Sequence, residues 1–211
     1  MYIPRAFEET RVEVMHELMR AHPFAAIVTV GSAGLTATHI PLVLHAEGSD
    51  YGLLRGHMAR ANSQWTEHNG STDALAIFSG PHQYVSPSWY ATKQEDGRVV
   101  PTWNYAVVHA YGPLTLHHET AWLLEHLNTL VTQHESRFER PWKVADAPAD
   151  YIERQTHGIV GIEVPIRRLE GKWKLSQNRS ERDRQGVIDG LAELGTADSA
   201  AMRTLMREGT P

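Results

Sequence analysis

The sequence predicts a mainly β protein with flanking helices, its strands antiparallel and able to close into a small barrel. Three observations predict this. Short apolar segments from Phe24 to Leu116 are separated by turn-forming residues, which implies antiparallel pairing. Strong helical spacing is confined to the start of the chain, one long stretch after Glu119 and the C-terminus. About six strands from one chain can close a barrel, which removes exposed sheet edges.

Taken in order, Met1 to Phe7 reads as an extended arm, because Pro4 keeps Ile3 out of the helical region. Thr10 to Ala21 is a helix with Val12, Met15 and Met19 on one face, Leu18 beside them and Pro23 beyond its end. Phe24 to Val30 is a strand, Gly31-Ser32-Ala33-Gly34 a hairpin turn, and Leu35 to His45 the returning strand. Pro41 donates no ladder hydrogen bond and marks an edge or a bulge. Tyr51 to Arg55 is a third strand that Gly56 breaks; Arg60 to Glu67 follows as a short helix and Asn69-Gly70 as a turn. Ala74 to Ser79 is a buried strand broken by Gly80-Pro81. Val85 to Thr92 is irregular or briefly helical, Gln94 to Arg98 a polar tip, and Val99 to Leu116 one long bent strand. Thr120 to Phe138 is a helix on the spacing of Leu123, Leu124, Leu127, Leu130 and Val131. A Pro-containing loop, a short helix over Ala149 to Thr156 and a strand over Ile159 to Leu169 come next. Ser180 to Leu194 and Ser199 to Arg207 close the chain as helices, with Asp198 as N-cap of the last and Gly195 and Gly209 as stops.

Composition narrows the function classes. The chain has 211 residues, 41% hydrophobic and 21% charged, enough for a sizeable core. Its net charge is -5, which gives no support to nucleic-acid binding by phosphate neutralisation. Cysteine is absent, so disulfides, Cys-ligated zinc and a Cys nucleophile are excluded. MYIPRAFEET lacks the basic and apolar regions of a signal peptide, and no apolar run approaches the ~20 residues that span a bilayer. A cytoplasmic protein is expected.

Four constellations could carry chemistry. Phe78 to Gly112 interleaves Trp89, Trp103, Tyr84, Tyr90, Tyr105 and Tyr111 with hydrogen-bonding side chains, a pattern that suits a planar polar ligand, a subunit interface or an aromatic-rich hairpin. Gly56 to Asn62 lies where a strand ends and a helix starts; backbone N–H groups and Arg60 there suit an anion, with a plain surface Arg as the alternative. Thr36, Thr38 and His39 read as one hydrogen-bonding face, with Ala37 and Ile40 on the other. Lys172, Lys174, Arg179, Arg182 and Arg184 form a cationic run that suits phosphate or nucleic acid, although a solvated turn and helix start fits it better. His117-His118-Glu119 and His134-Glu135 lack metal-ligand spacing, and no Rossmann, P-loop or G-x-S-x-G sequence occurs.

The blocks MYIPRAF, HPFAAIVTV, GLTATHIPLVL, GHMARANSQW, ALAIFSGPHQYVSPSWY, VVPTWNYAVVHAYG, GIVGIEVPI and GKWKLSQNRSERDRQGVI resemble the PaiB-type family of FMN-binding negative transcriptional regulators, from Met1 to about Leu194. The resemblance implies an antiparallel split β-barrel of the pyridoxamine-phosphate-oxidase type, with C-terminal helices, working as a homodimer with FMN at the subunit interface. It implies a split-barrel domain over residues 1–170, with an inserted helix near 120–138, and a closing segment over 171–211. By this resemblance Arg60, with Arg55, Gly56, His57 and Asn62 around it, holds the FMN phosphate. Thr38, His39 and Ile40 lie along the flavin ring. Trp103, Asn104 and Tyr105 come from the partner subunit, and Arg179 belongs to the closing segment. A flavin-dependent oxidoreductase or a haem-binding relative on the same barrel is the alternative. No helix-turn-helix with a basic reading face is visible, so direct DNA contact has no support in the sequence.

Overall fold

The computed structural model describes residues 1–32, 34–68 and 70–208, without the side chain of residue 96. Ala33 and Asn69, parts of two expected turns, and Gly209, an expected helix stop, lie outside the described residues. In chain order the elements are β1 (Glu8–Glu9), α1 (Val12–Ala21), β2 (Phe24–Gly31), β3 (Gly34–Pro41), β4 (Val43–His45), β5 (Leu53–Ala59) and α2 (Gln64–Glu67). Then come β6 (Ala74–Val85), α3 (Lys93–Asp96), β7 (Thr102–Gly112), β8 (Thr115–His117), α4 (Thr120–Glu135), α5 (Ala149–His157), β9 (Ile159–Pro165), β10 (Arg168–Lys174), α6 (Glu181–Leu194) and α7 (Ala197–Glu208). Short 3-10 turns occupy Arg5–Phe7, Pro87–Trp89 and Val144–Asp146.

The chain divides into two compact units. The first comprises Met1–His22, Phe78–His109 and Glu170–Pro211, and its strands run in the order β1, β10, β7, β6. Its interior includes Met15, Leu18, Met19, Phe78, Tyr90, Val108, Trp173, Leu191, Met202 and Met206. The N-cap of α6 is Ser180, whose side chain accepts from the Asp183 N–H, and Gly195 closes the helix in the left-handed region.

The second unit comprises Pro23–Ile77 and Ala110–Leu169. The β2–β3 hairpin pairs in register from Phe24↔Pro41 to Gly31↔Gly34, and β2 also pairs with the start of β6. A four-stranded antiparallel sheet runs in the order β4, β5, β9, β8. Ile27, Leu42, Leu54, Met58, Leu123, Val160, Ile162 and Val164 are among its buried residues.

Several strand boundaries differ from the sequence reading, and glycine explains two of them. Gly56 does not break β5: it pairs with Ile162 in the ladder. A Cβ there would lie 2.7 Å from Leu42 Cδ2, so the glycine admits a close neighbour and the strand continues to Ala59. Gly80 likewise sits within β6, where a Cβ would lie 2.8 Å from Leu18 Cδ1 and 3.1 Å from the Ala106 carbonyl. The expected strand over Leu35 to His45 divides at Leu42, whose N–H donates to the Pro23 carbonyl; β3 ends on Pro41 and β4 belongs to the other sheet. The expected single strand over Val99 to Leu116 divides around Pro113. The segment from Arg168 to Lys174 is a strand rather than a solvated turn, with Lys172 and Trp173 buried. Helix α2 begins only at Gln64, and Asp198 lies in the first turn of α7 rather than before it.

Candidate functional site

In the second unit, β3 and the loop after β5 are joined by side chains. Positions 36 and 39 differ by an odd number, so strand alternation separates them. Thr36, Thr38 and Ile40 turn to the more buried side and Ala37 and His39 to the open side, which corrects the expected grouping of His39 with the threonines. Asn62 Nδ2 donates to Thr38 Oγ1 at 2.9 Å, and Asn62 Oδ1 accepts from the Gln64 N–H at 3.0 Å. Gln64 is buried, with Nε2 lying 3.1 Å from the Ile27 carbonyl, the Thr29 hydroxyl and the Thr36 carbonyl. These bonds tie the 60–64 loop to the hairpin.

Arg60 is exposed and anchored. Its Nε donates to the His157 carbonyl at 2.7 Å and its Nη2 to the Ile159 carbonyl at 2.8 Å. Its backbone N–H donates to the Gly158 carbonyl at 2.8 Å. Carbonyls at a helix C-terminus attract a cation, so the end of α5 fixes the guanidinium. Nη1 retains its donors. A helix N-terminus does not contribute as expected, because α2 starts four positions later and is only four residues long. The donor types nevertheless suit a phosphate: a fixed guanidinium at Arg60 and, two positions on, the Asn62 amide bonded to the Thr38 hydroxyl.

Arg55 and His57 face a different cluster. Arg55 Nε lies 2.9 Å from Glu163 Oε2 and Nη1 3.0 Å from Glu125 Oε1, so two carboxylates neutralise its charge. Its guanidinium also lies 5.3 Å from the centre of the Trp122 ring. Trp122 stacks on His117 at 4.2 Å with an interplanar angle of 3°. His57 Nδ1 is 3.1 Å from His126 Nε2, a bond in which one neutral imidazole donates and the other accepts. Burial, then the charges of His57, Arg55 and His45, holds the His126 pKa down to about 3. Burial lowers His57 and His45 too. Nothing in the sequence joined these residues, which lie on β4, β5, β8, β9 and α4. Among the described residues no group of three or more His, Cys, Asp or Glu can hold a metal ion.

The first unit carries the other expected residues. Trp103 is 52% exposed, with the His82 ring at 5.9 Å and the Tyr84 ring edge-on at 6.1 Å. Tyr105 alternates with Asn104 to the same side as Trp103. Asn104 is fully buried, its Nδ2 donating to Ser176 Oγ at 3.0 Å and to the Met206 sulfur at 3.4 Å. It serves the interior of that unit. Arg179 lies 4.8 Å over the Tyr90 ring. Lys174, which the sequence showed only as part of a charged run, bonds to Thr102 Oγ1 at 2.6 Å and the Trp103 carbonyl at 2.5 Å. The alternation of Lys172 and Lys174 around Trp173 was the signal that marks this strand.

Solved structures of the same architecture define the class. A flavocytochrome from Azotobacter vinelandii superposes with a TM-score of 0.59 at 16% identity, covering 87% of this chain and 78% of that one. An FAD and heme binding protein from Mycobacterium smegmatis gives 0.59 at 13% identity, covering 83% and 78%. These likenesses show the fold, an antiparallel split β-barrel. Residues 1–168 match the family model described as "Putative FMN-binding domain". The chain belongs to this family, the PaiB-type proteins, and its cofactor is FMN. It is 32% identical over 208 residues to the protease synthase and sporulation protein PAI 2 of Bacillus subtilis, with 99% of this chain and 97% of the relative covered. An uncharacterized protein of Emericella nidulans is 35% identical over 243 residues, with 99% and 97% covered. No helix among the described residues is long and apolar enough to cross a membrane.

Proposed function

We propose that the protein is a homodimeric FMN-binding negative regulator of transcription, with Arg60, Asn62 and Thr38 holding the FMN phosphate side and Trp103 and Tyr105 supplied by the partner subunit. The observation that carries the dimer is the open face of the β2–β3 hairpin. Phe24 and Leu35 are 67% and 77% exposed there, beside half-buried Ala26, Val28 and Val30 and exposed Ala37. A contiguous apolar sheet face of this kind fits a second copy of the chain. The bound flavin supplies hydride and electron chemistry, while these residues bind and orient it.

The regulatory role is what the resemblance to the PaiB-type family implies, and the relative in Bacillus subtilis is named for protease synthesis and sporulation. The net charge of -5, and helices α6 and α7 that mix carboxylates with arginines, favour regulation through a protein partner or a flavin-dependent reaction over direct DNA contact. Light scattering on the FMN-loaded protein tests the assembly. The mass of two chains with one FMN per chain is expected; the mass of one chain with FMN bound overturns it. A flavin-dependent oxidoreductase is the second reading, favoured by the exposed ring cluster of His82, Tyr84 and Trp103. Reduction of the bound flavin by NADH or NADPH, followed by a screen of acceptors, tests that reading, and complete inertness counts against it.

A further inference from the structure

On the outer face of the first unit, three cations gather beside an aromatic wall. Lys172 and Lys174 project to the same side of β10, since Trp173 between them is buried on the other. Lys172 is only 8% exposed; its Nζ donates to the Tyr2 carbonyl at 3.1 Å and lies 5.2 Å from the Tyr105 ring centre. Lys174 is held by the Thr102 hydroxyl and the Trp103 carbonyl, which leaves it a further ammonium N–H. Arg179 is laid over the buried Tyr90 ring.

A tight turn fixes Arg179. Its N–H donates to the Ser176 carbonyl at 3.0 Å, and Ser176 adopts a left-handed conformation with φ 62. The Gln177 side chain clamps the same turn, accepting from the Leu175 N–H at 2.7 Å and donating to the Trp173 carbonyl at 2.6 Å.

None of the three cations makes an ion pair with a carboxylate among the described residues. Glu8 stands opposite Lys172 in the ladder without pairing to it. The Asp183 carboxylate is occupied by the Thr92 N–H and hydroxyl. Burial, then the charges of Lys172 and Arg179, lowers the pKa of Lys174. Asp183 attracts Arg179 without an ion-pair contact, and no carboxylate among the described residues contacts Lys174, so an anion bound among the cations relieves their mutual repulsion. The half-exposed Trp103 ring, with His82 tilted at 50° and Tyr84 edge-on at 75° to it, offers an aromatic face to a planar group.

We propose that Lys174 and Arg179, backed by Lys172, bind the carboxylate or phosphate of a planar aromatic substrate whose ring lies against Trp103. This names the substrate class of the proposed flavin site and rests on the reading that Trp103 belongs to that site. The test is calorimetric titration of the protein, with and without FMN, using benzoate, phenyl phosphate and neutral benzamide. At least one anion is expected to bind about tenfold more tightly than benzamide, the scale of one charge-assisted hydrogen bond. The identity of the preferred anion separates a carboxylate from a phosphate ligand. Lys174→Met and Arg179→Gln should each reduce that anion to the benzamide level, and Lys174→Met should leave FMN affinity unchanged. Equal binding of anions and benzamide overturns the proposal, as does a preference that survives both substitutions. Parallel loss of FMN and anion in Lys174→Met overturns it as well, because the cation then holds the cofactor's phosphate. If the unsubstituted protein fails to bind FMN, the proposed flavin site fails on its own, and the anion preference is still read on the FMN-free protein.

Discussion

At the scale of single residues, Arg60 carries the sharpest consequence. Two backbone carbonyls hold its guanidinium, so it meets a phosphate with little further ordering. Arg60→Ala should weaken FMN binding by about 2–3 kcal/mol, the scale of a charge-assisted pair of hydrogen bonds, as read by quenching of FMN fluorescence. Unchanged affinity would place the phosphate elsewhere. Gln64 makes a purely structural prediction. Gln64→Leu leaves the Thr29 hydroxyl and two carbonyls without their amide donor in a buried site, so stability should fall by about 1–3 kcal/mol in a urea titration. Arg60 was legible in the sequence as a cation beside a loop. The roles of Asn104 and Arg55 were not, because their partners Ser176, Met206, Glu125 and Glu163 are remote in the chain. Sequence spacing gives no distance between such residues.

At the scale of elements, helix α4 rests on a bond between two neutral imidazoles. His126 on α4 is 1% exposed and takes up a proton only near pH 3, whereas an unfolded histidine does so near 6.5. Its folded pKa is lowered, so the unfolded chain binds more protons throughout that interval. Stability contributed by neutral His126 is therefore present above pH 6.5 and is lost as pH falls towards 3, by up to about tenfold in the folding constant per pH unit. Arg55, His45 and His57 add positive or potentially positive charge around it, while Glu125 and Glu163 are already engaged by Arg55. His126→Gln should flatten the acid limb of the stability profile measured by circular dichroism; an unaltered limb would contradict this account. Periodicity located α1 and α4, and turn residues bounded most strands. They placed the strand ends near Gly56 and Gly80 wrongly, because glycine reads alike as a turn residue and as a residue that admits a close neighbour. Only the packed positions of Leu42 and Leu18 distinguish the two uses.

At the scale of the whole molecule, the central claim is that FMN is held where two copies meet. The fold class was readable from turn-linked strands and the family from its sequence blocks. The open apolar face was not, since Phe24, Ala26, Val28, Leu35 and Ala37 read as ordinary strand residues until the hairpin register sets them side by side. Leu35 is the position at which to test the claim: it is 77% exposed in the single chain, so a charge there costs the fold little and the proposed interface much. The most direct measurement is FMN titration of Leu35→Glu beside the unsubstituted protein, with mass followed by light scattering. A one-chain mass is expected, with FMN affinity reduced by about a hundredfold or more, as when half of a site's lining is removed. A one-chain species that binds FMN as tightly as the unsubstituted protein would contradict the claim.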